Sequence, residues 1–174
     1  IDPATVERFR HGTTVATNAI LESEGARTAL VTTAGFGDVL AIGRQDRPAL
    51  YDLDASKPDP LVPRDRRYEL DERATTEGVE REPDDTAVAT LVERLEERAE
   101  TGAVESVAVS LLHAYAHPET ERRVTERLRE DLDVPVVASH ETLPEFREYE
   151  RTATTVVDAY VTPVIRTYLD AVLD

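Results

Sequence analysis

Apolar positions along the chain switch between the period of a strand and that of a helix, and the switches predict the elements. Val6 to His11 reads as a short strand. Gly12-Thr13-Thr14 then supplies an N-cap for a helix carrying Val15, Ala16, Ala19, Ile20 and Leu21, with Gly25 as its C′ residue. Thr28 to Thr33 (TALVTT) is a β-favouring run, followed by Gly35-Phe36-Gly37-Asp38 and a short helical stretch through Ile42. The order to this point is β-α-β-α.

Residues 43–83 break the alternation and hold five of the ten prolines. Their apolar anchors Tyr51, Leu53, Leu61, Val62, Tyr68 and Leu70 mark an ordered excursion rather than a linker. Within it, Tyr68 to Arg73 and Val79 to Glu82, joined around Gly78, are expected to form a small hairpin. Regular alternation then resumes. Asp84 and Asp85 precede a helix whose apolar residues Val88, Leu91, Val92, Leu95 and Ala99 follow the i, i+3, i+4, i+7 spacing, closed by Gly102. Val104 to Leu112 reads as a mostly buried strand, Pro118 as the N1 residue of a helix with Glu119 and Glu121 in its first turn, and Val134 to Ala138 as another strand. From about Glu145 a long helical pattern runs through Tyr149, Val156, Val157, Tyr160, Val164, Tyr168 and Leu169, with Pro163 a kink. Strands alternating with helices predict an α/β fold with a parallel or mixed sheet, and no internal repeat is found.

Composition narrows the partners. The 174 residues are 40% hydrophobic, enough for a single core, and carry 36 acidic against 20 basic side chains for a formal charge of −16. That balance argues against nucleic acid or an anionic membrane as partner, since both are polyanions. Nineteen of the basic residues are Arg and only Lys57 is Lys. A carboxylate-rich surface nearly free of lysine is expected of a cytoplasmic protein from a salt-accumulating halophile; a GC-rich genome accounts for the Arg but not for the charge. The absence of Cys excludes disulfides, thiolate catalysis and cysteine metal sites. The chain starts Ile1-Asp2-Pro3 and contains no Met, so it is expected to be one partial domain (1–174) of a longer protein.

No self-sufficient catalytic motif occurs, so the candidates are polar clusters at strand ends. His11-Gly12-Thr13-Thr14 with Thr17 and Asn18 places backbone N–H groups and hydroxyls at a helix start, which suits an oxyanion or phosphate as well as an ordinary Thr cap. Arg44, Gln45, Asp46 and Arg47 follow a helix, where the arginines suit a carboxylate or phosphate, or answer nearby acids. His113 and His117 stand at i, i+4, but a strand end and cap are expected there, so no metal site is predicted. Glu148, Tyr149, Glu150, Arg151 and Thr152 open the last helix.

Together FRHGTTVATNAILE, GARTALVTTAGFGDVLAIGRQDRPALYDL, SVAVSLLHAYAHPETERRV and LPEFREYERTATTVVDAYVTPV, in that order across nearly the whole chain, resemble the N-terminal region of the hydantoinase A and 5-oxoprolinase family. The resemblance implies a fragment of an actin-like (ribonuclease H-like) ATPase domain: a mixed sheet with flanking helices and the 43–83 excursion. It implies ATP and Mg²⁺ as cofactors, a hydantoinase B-like subunit or fused domain as partner in an oligomer, and ATP-driven opening of a hydantoin or 5-oxoproline ring. A ring amide is a poor electrophile, and phosphorylating its carbonyl oxygen makes an attackable imidate. The alternatives are a subunit of an ATP-dependent ketone carboxylase and a non-catalytic actin-like ATPase module. The family's Asp-Gly-Gly-Thr-type phosphate loop is expected before Ile1 and the second nucleotide-binding half after Asp174. Carried over residue by residue, the resemblance assigns substrate or phosphate positioning to His11, Gly12, Thr13, Thr14, Thr17, Asn18, Arg44, Gln45, Asp46, Glu148, Tyr149, Glu150, Arg151 and Thr152, and no nucleophile.

Self-repulsion at −16 sets a test of the halophile reading. The melting temperature should rise as KCl goes from low to molar concentration, and a flat or falling profile counts against it.

Overall fold

The computed structural model describes residues 11–45, 51 and 57–173. Its frame is a four-stranded parallel sheet in the order β2-β1-β5-β6, formed by β1 (Thr28–Thr33), β2 (Arg67–Leu70), β5 (Ser106–Ser110) and β6 (Val136–Ala138). Every residue of β1 and of β5 is buried, as a central parallel strand covered on both faces requires. Alternation sorts their side chains. Ala29, Val31, Val107 and Val109 face α3 (Asp85–Glu100) and α4 (Glu119–Asp131), where Leu91, Leu95, Val124 and Leu128 complete one core. Leu30 and Ala108 point the other way, onto Val156 and Ala159 of α6 (Glu148–Leu173) and onto Val62. The two clusters make a three-layer sandwich around the sheet.

Local chemistry sets the ends of these elements. Asp84 caps α3 by accepting from Ala87 N at 2.7 Å, a bond worth about 1 kcal/mol. Beyond α3 the chain turns through Gly102 at φ +69. Pro118 is the N-cap of α4 rather than its N1 residue. Pro163 lies inside α6. A short α5 (Ser139–Thr142), not foreseen from the sequence, follows β6 directly, and α2 is the expected stretch Val39–Ile42.

The described strands of the sheet are all parallel, one of the two arrangements the alternation predicts. Two further expectations, the hairpin and Gly25, need correction. Of the hairpin arm expected at Tyr68 to Arg73, the first part belongs instead to β2, the edge strand of the sheet, paired in parallel with β1 through Val31↔Tyr68 and Thr33↔Leu70. Tyr68 and Leu70 are buried on that edge, and only β3 (Arg73–Ala74) and β4 (Val79–Arg81) form the hairpin. Gly25 is not the C′ residue of α1 (Val15–Leu21): Glu22 caps the helix, and Ser23 takes the left-handed conformation at φ 58. Gly25 is required by packing, because a Cβ there would overlap the Tyr160 ring of α6. The strand expected at Val6 to His11 falls outside the described residues except for His11, which is in no regular element.

The contact at Gly25 yields a direct test. Gly25→Ala should destabilise the protein by about 1–3 kcal/mol through overpacking, read by chemical denaturation.

Candidate functional site

From β1 the chain leaves toward one edge of the sheet and from β5 toward the other, so the carboxyl ends of these neighbouring strands flank the point where the topology divides. Open parallel sheets bind ligands in that crevice. Here it holds a buried polar cluster. Thr33, at the end of β1, donates to Glu72 and accepts from Leu112 N at 2.8 Å. Glu121, fully buried on the first turn of α4, accepts from Leu111 N at 2.6 Å, Ser139 Oγ at 2.9 Å and His140 N at 2.8 Å, with His140 Nδ1 also at 2.8 Å. Arg151, also fully buried, pairs with Glu148, donates to Leu111 O at 2.7 Å and Glu145 O at 3.2 Å, and stands 5.6 Å from the Tyr115 ring centroid. Thr152 and Ser110 hydrogen bond at 2.9 Å beneath it. His113, left-handed at φ 56, turns the chain out of β5.

Next to this cluster, the turn after α2 shapes a cleft of about 380 Å³ whose walls include Leu40, Gly43, Arg44, Lys57 and Tyr149. Gly43 and Gln45 are both left-handed, at φ 57 and φ 58. Lys57 Nζ donates to Ile42 O at 2.9 Å, and Arg44 Nε to Glu150 at 2.7 Å. An apolar hollow of about 200 Å³, lined by Leu61, Val156 and Val157, adjoins the cleft and shares Leu40 and Tyr149 with it.

The residues singled out in the sequence therefore fall in three places. Glu148, Arg151 and Thr152 join the strand-end cluster, while Tyr149 and Glu150, on the other side of the same turn, face the cleft with Arg44. Gln45 is exposed at the cleft turn, and Asp46 lies outside the described residues. The segment His11, Gly12, Thr13, Thr14, Thr17 and Asn18 is exposed at the far end of α6, where His11 stacks on Tyr168. Glu148 and Tyr168 are separated by about 30 Å at roughly 1.5 Å per residue. The structure does not bring this segment to the other two groups. Thr14 is the N-cap of α1 but makes no side-chain cap bond; Thr13 Oγ1 accepts from Val15 N at 3.2 Å instead.

A profile of the hydantoinase/oxoprolinase N-terminal region matches residues 1–132. The chain belongs to the hydantoinase/oxoprolinase family. It is 34% identical, over 99% of its length, to the 5-oxoprolinase of Saccharomyces cerevisiae, covering 15% of that protein. With caprolactamase subunit alpha of Pseudomonas jessenii it shares 36% identity over 93% of the chain and 23% of the relative. The crystal structure of the ATP-dependent caprolactamase from that organism superposes with a TM-score of 0.81 at 33% identity, covering 92% of the chain and 23% of the other. The nucleotide-free structure of acetone carboxylase gives 0.74 at 26% identity, covering 88% and 23%. The fold is the part of an actin-like ATPase-type architecture that these neighbours contain. The chain spans about a quarter or less of the length of these relatives.

Relative to this hydantoinase/oxoprolinase fold, sequence reasoning missed Glu72 and left Glu121 as an ordinary first-turn acid. The one available signal was position: Glu121 is an N3 acid on the helix that comes next after a fully buried strand. Among the described residues no three His, Asp or Glu side chains are grouped to hold a metal, so Mg²⁺ does not fit a site built from them. His117 Nε2 faces Thr76 O at 3.4 Å rather than sharing a ligand with His113. In the cleft wall Arg44, held by Glu150, and Lys57, tied to Ile42 O, stand beside Asp59.

Burial tunes the strand-end cluster. It raises the Glu72 and Glu148 carboxyls above the usual range; the Thr33 hydrogen bond opposes this at Glu72 and Arg151 opposes it at Glu148, while Glu121 raises both further. Burial and then Arg151 lower His113, keeping its imidazole neutral. In the first turn of α6, by contrast, the hydrogen bond from Arg44 lowers Glu150. A carboxyl whose folded-state pKa is raised contributes stability below its ordinary range, and that contribution is lost as pH climbs through the raised value. Glu72→Gln keeps an acceptor for Thr33 and removes the titration. Against wild type, its denaturation free energy should therefore fall less between about pH 4 and neutrality. Parallel curves for the two proteins would show that Glu72 does not titrate in this way.

Proposed function

We propose that this chain is the N-terminal part of an ATP-dependent enzyme that opens a cyclic amide, a hydantoin or 5-oxoproline, after phosphorylation of the ring carbonyl oxygen. The observation that carries the reading is the likeness, over nearly the whole chain, to proteins named for such substrates: the ATP-dependent caprolactamase fold at a TM-score of 0.81 and the 5-oxoprolinase sequence at 34% identity. When bound, ATP supplies the phosphoryl group that makes a resonance-stabilised amide carbon attackable. Mg²⁺ would accompany the nucleotide in the full-length protein.

The part played by this chain is positioning. Arg44 and Gln45, with Tyr149 and Glu150, hold a ligand against the turn after α2, while Arg151 and Glu148 fix the strand ends behind it. Glu72, whose carboxyl burial raises above the usual range, lines a crevice where further negative charge is disfavoured. His11, Gly12, Thr13, Thr14, Thr17 and Asn18 belong to the same machinery as a second set of donors, and Asp46 goes with Arg44 and Gln45. The working enzyme is an oligomer in the cytoplasm of a halophile and acts with a hydantoinase B-like subunit or fused domain, in keeping with the relative named subunit alpha. A ketone carboxylase subunit is the second reading, favoured by the likeness to acetone carboxylase, which is weaker in both identity and TM-score.

The test is ATP hydrolysis by the intact protein with its partner, stimulated by hydantoin or 5-oxoproline and not by acetone. Stimulation by acetone with bicarbonate selects the second reading. Thr14→Ala isolates the outer set, because Thr14 makes no cap bond whose loss would unfold the helix. The melting temperature should hold while turnover falls by on the order of 10² to 10³, as when one oxyanion donor is removed. Wild-type turnover in Thr14→Ala takes that set out of the machinery.

A further inference from the structure

The turn that leaves β5 is fixed residue by residue. Three successive backbone N–H groups each meet a different carboxylate: Leu111 N donates to Glu121 at 2.6 Å, the Leu112 N–H stabilises the Glu72 carboxylate, and the His113 N–H that of Glu148. His113 O in turn accepts from Ala116 N at 2.9 Å and His117 N at 3.0 Å. This bracing holds His113 in the left-handed region at φ 56, which Gly35, Gly43 and Gly102 occupy elsewhere in the fold. The other left-handed non-glycine residues, Ser23 and Gln45, are exposed, whereas His113 is half-buried at the strand-end crevice. A side chain kept in that region needs surroundings that over-determine it, and such residues cluster at functional sites.

What the turn presents is an imidazole. His113 Nδ1 is sealed from solvent and has no hydrogen-bond partner among the described residues; Nε2 is not sealed and forms no hydrogen bond among them either. The ring stands tilted against Tyr115, with centroids 5.9 Å apart. Burial, then Arg151 from α6, Arg73 from β3 and His117 from the same turn disfavour an imidazolium, while Glu148 lies against the backbone N–H. A buried N–H without an acceptor is rarer than an unfilled lone pair, which assigns the proton to Nε2 and leaves that nitrogen as the one a ligand can reach.

We propose that His113 is a ligand-binding residue whose neutral Nε2–H donates a hydrogen bond to an acceptor oxygen in the strand-end crevice, a ring carbonyl or a phosphoryl oxygen. The proposal rests on the enzymatic reading above for which ligand arrives, and on the turn alone for the donor. A neutral imidazole suits this place because it donates to a polarised oxygen without setting a second buried cation beside Arg151.

The test is carbethoxylation by diethyl pyrocarbonate, which reacts with an accessible neutral imidazole, on the intact wild-type protein with its partner. Peptide mass spectrometry reads His113 in the presence of 5-oxoproline, hydantoin, inorganic phosphate or ATP. Protection by 5-oxoproline or hydantoin assigns Nε2 to the cyclic amide, and protection by inorganic phosphate or ATP assigns it to phosphate. Labelling equal with and without all four, or absent altogether, overturns the proposal. His113→Gly supplies the second measure, since glycine relieves the left-handed backbone and removes the imidazole. Its melting temperature should hold or rise while turnover falls on the order of 10² to 10³, as when one oxyanion donor is lost, and His113→Gln, which returns a neutral donor, should recover part of that loss. Wild-type turnover in a folded His113→Gly reduces His113 to a turn residue. If the variant does not fold, the wild-type labelling decides alone. Protection by inorganic phosphate without turnover of any cyclic amide leaves the donor standing and removes the enzymatic reading; turnover with an unprotected His113 does the opposite.

Discussion

The carboxylate of Glu121 is the constraint on which the working end of the sheet depends. Where parallel strands end, their last N–H groups lose the ladder that satisfied them, and a buried donor without an acceptor costs about 1–3 kcal/mol. Leu111 N beyond β5 and His140 N beyond β6 are both in that position, and both donate to Glu121, as does the Ser139 hydroxyl. One side chain on α4 thereby sets the spacing of two strand ends and the start of α5. It also leaves Leu111 O turned toward Arg151, which completes the cluster from the opposite layer.

The cations of this acidic chain do related work. Arg67 reaches Val62 O at 3.0 Å and Gly37 O at 2.9 Å, Arg129 reaches Val136 O, Arg27 reaches Gly102 O, and Lys57 reaches Ile42 O. Each of these carbonyls lies in a loop, at a helix end or at a strand start, where backbone acceptors lack a regular partner. With few cations available, the fold spends them on its own joints, while most of the carboxylates remain at the surface.

This division explains what could be read in advance. TALVTT was legible as β1 to the residue, and the spacing of Val88, Leu91, Val92 and Leu95 placed α3, because period and burial are local properties of the chain. β2 was missed because RYEL, with Tyr68 and Leu70 on one face, carries the same alternation as a hairpin arm, and only its partner β1 distinguishes them. Gly25 was misread because its constraint comes from Tyr160 in a helix far along the chain. In the strand-end cluster, Glu148, Arg151 and Thr152 had been singled out as a motif. Glu72 and Glu121 were not, since their importance comes from Thr33, Leu111 and Ser139, residues of other elements.

The long α6 ties the separate groups into one mechanical unit. Its first turn splits its side chains: Arg151 and Thr152 lock to the end of β5, while Tyr149 and Glu150 form the wall that faces Arg44. Its middle packs Val156 and Ala159 against the sheet, and Tyr160 O accepts from Ala26 N at 2.9 Å. Its last turns carry Tyr168 against His11. The two ends of α6 therefore answer to different elements, Arg151 and Thr152 to the end of β5 and Tyr168 to the α1 segment about 30 Å away, at roughly 1.5 Å per residue. That gives a physical reason for residues so distant to lie on one helix without forming one pocket.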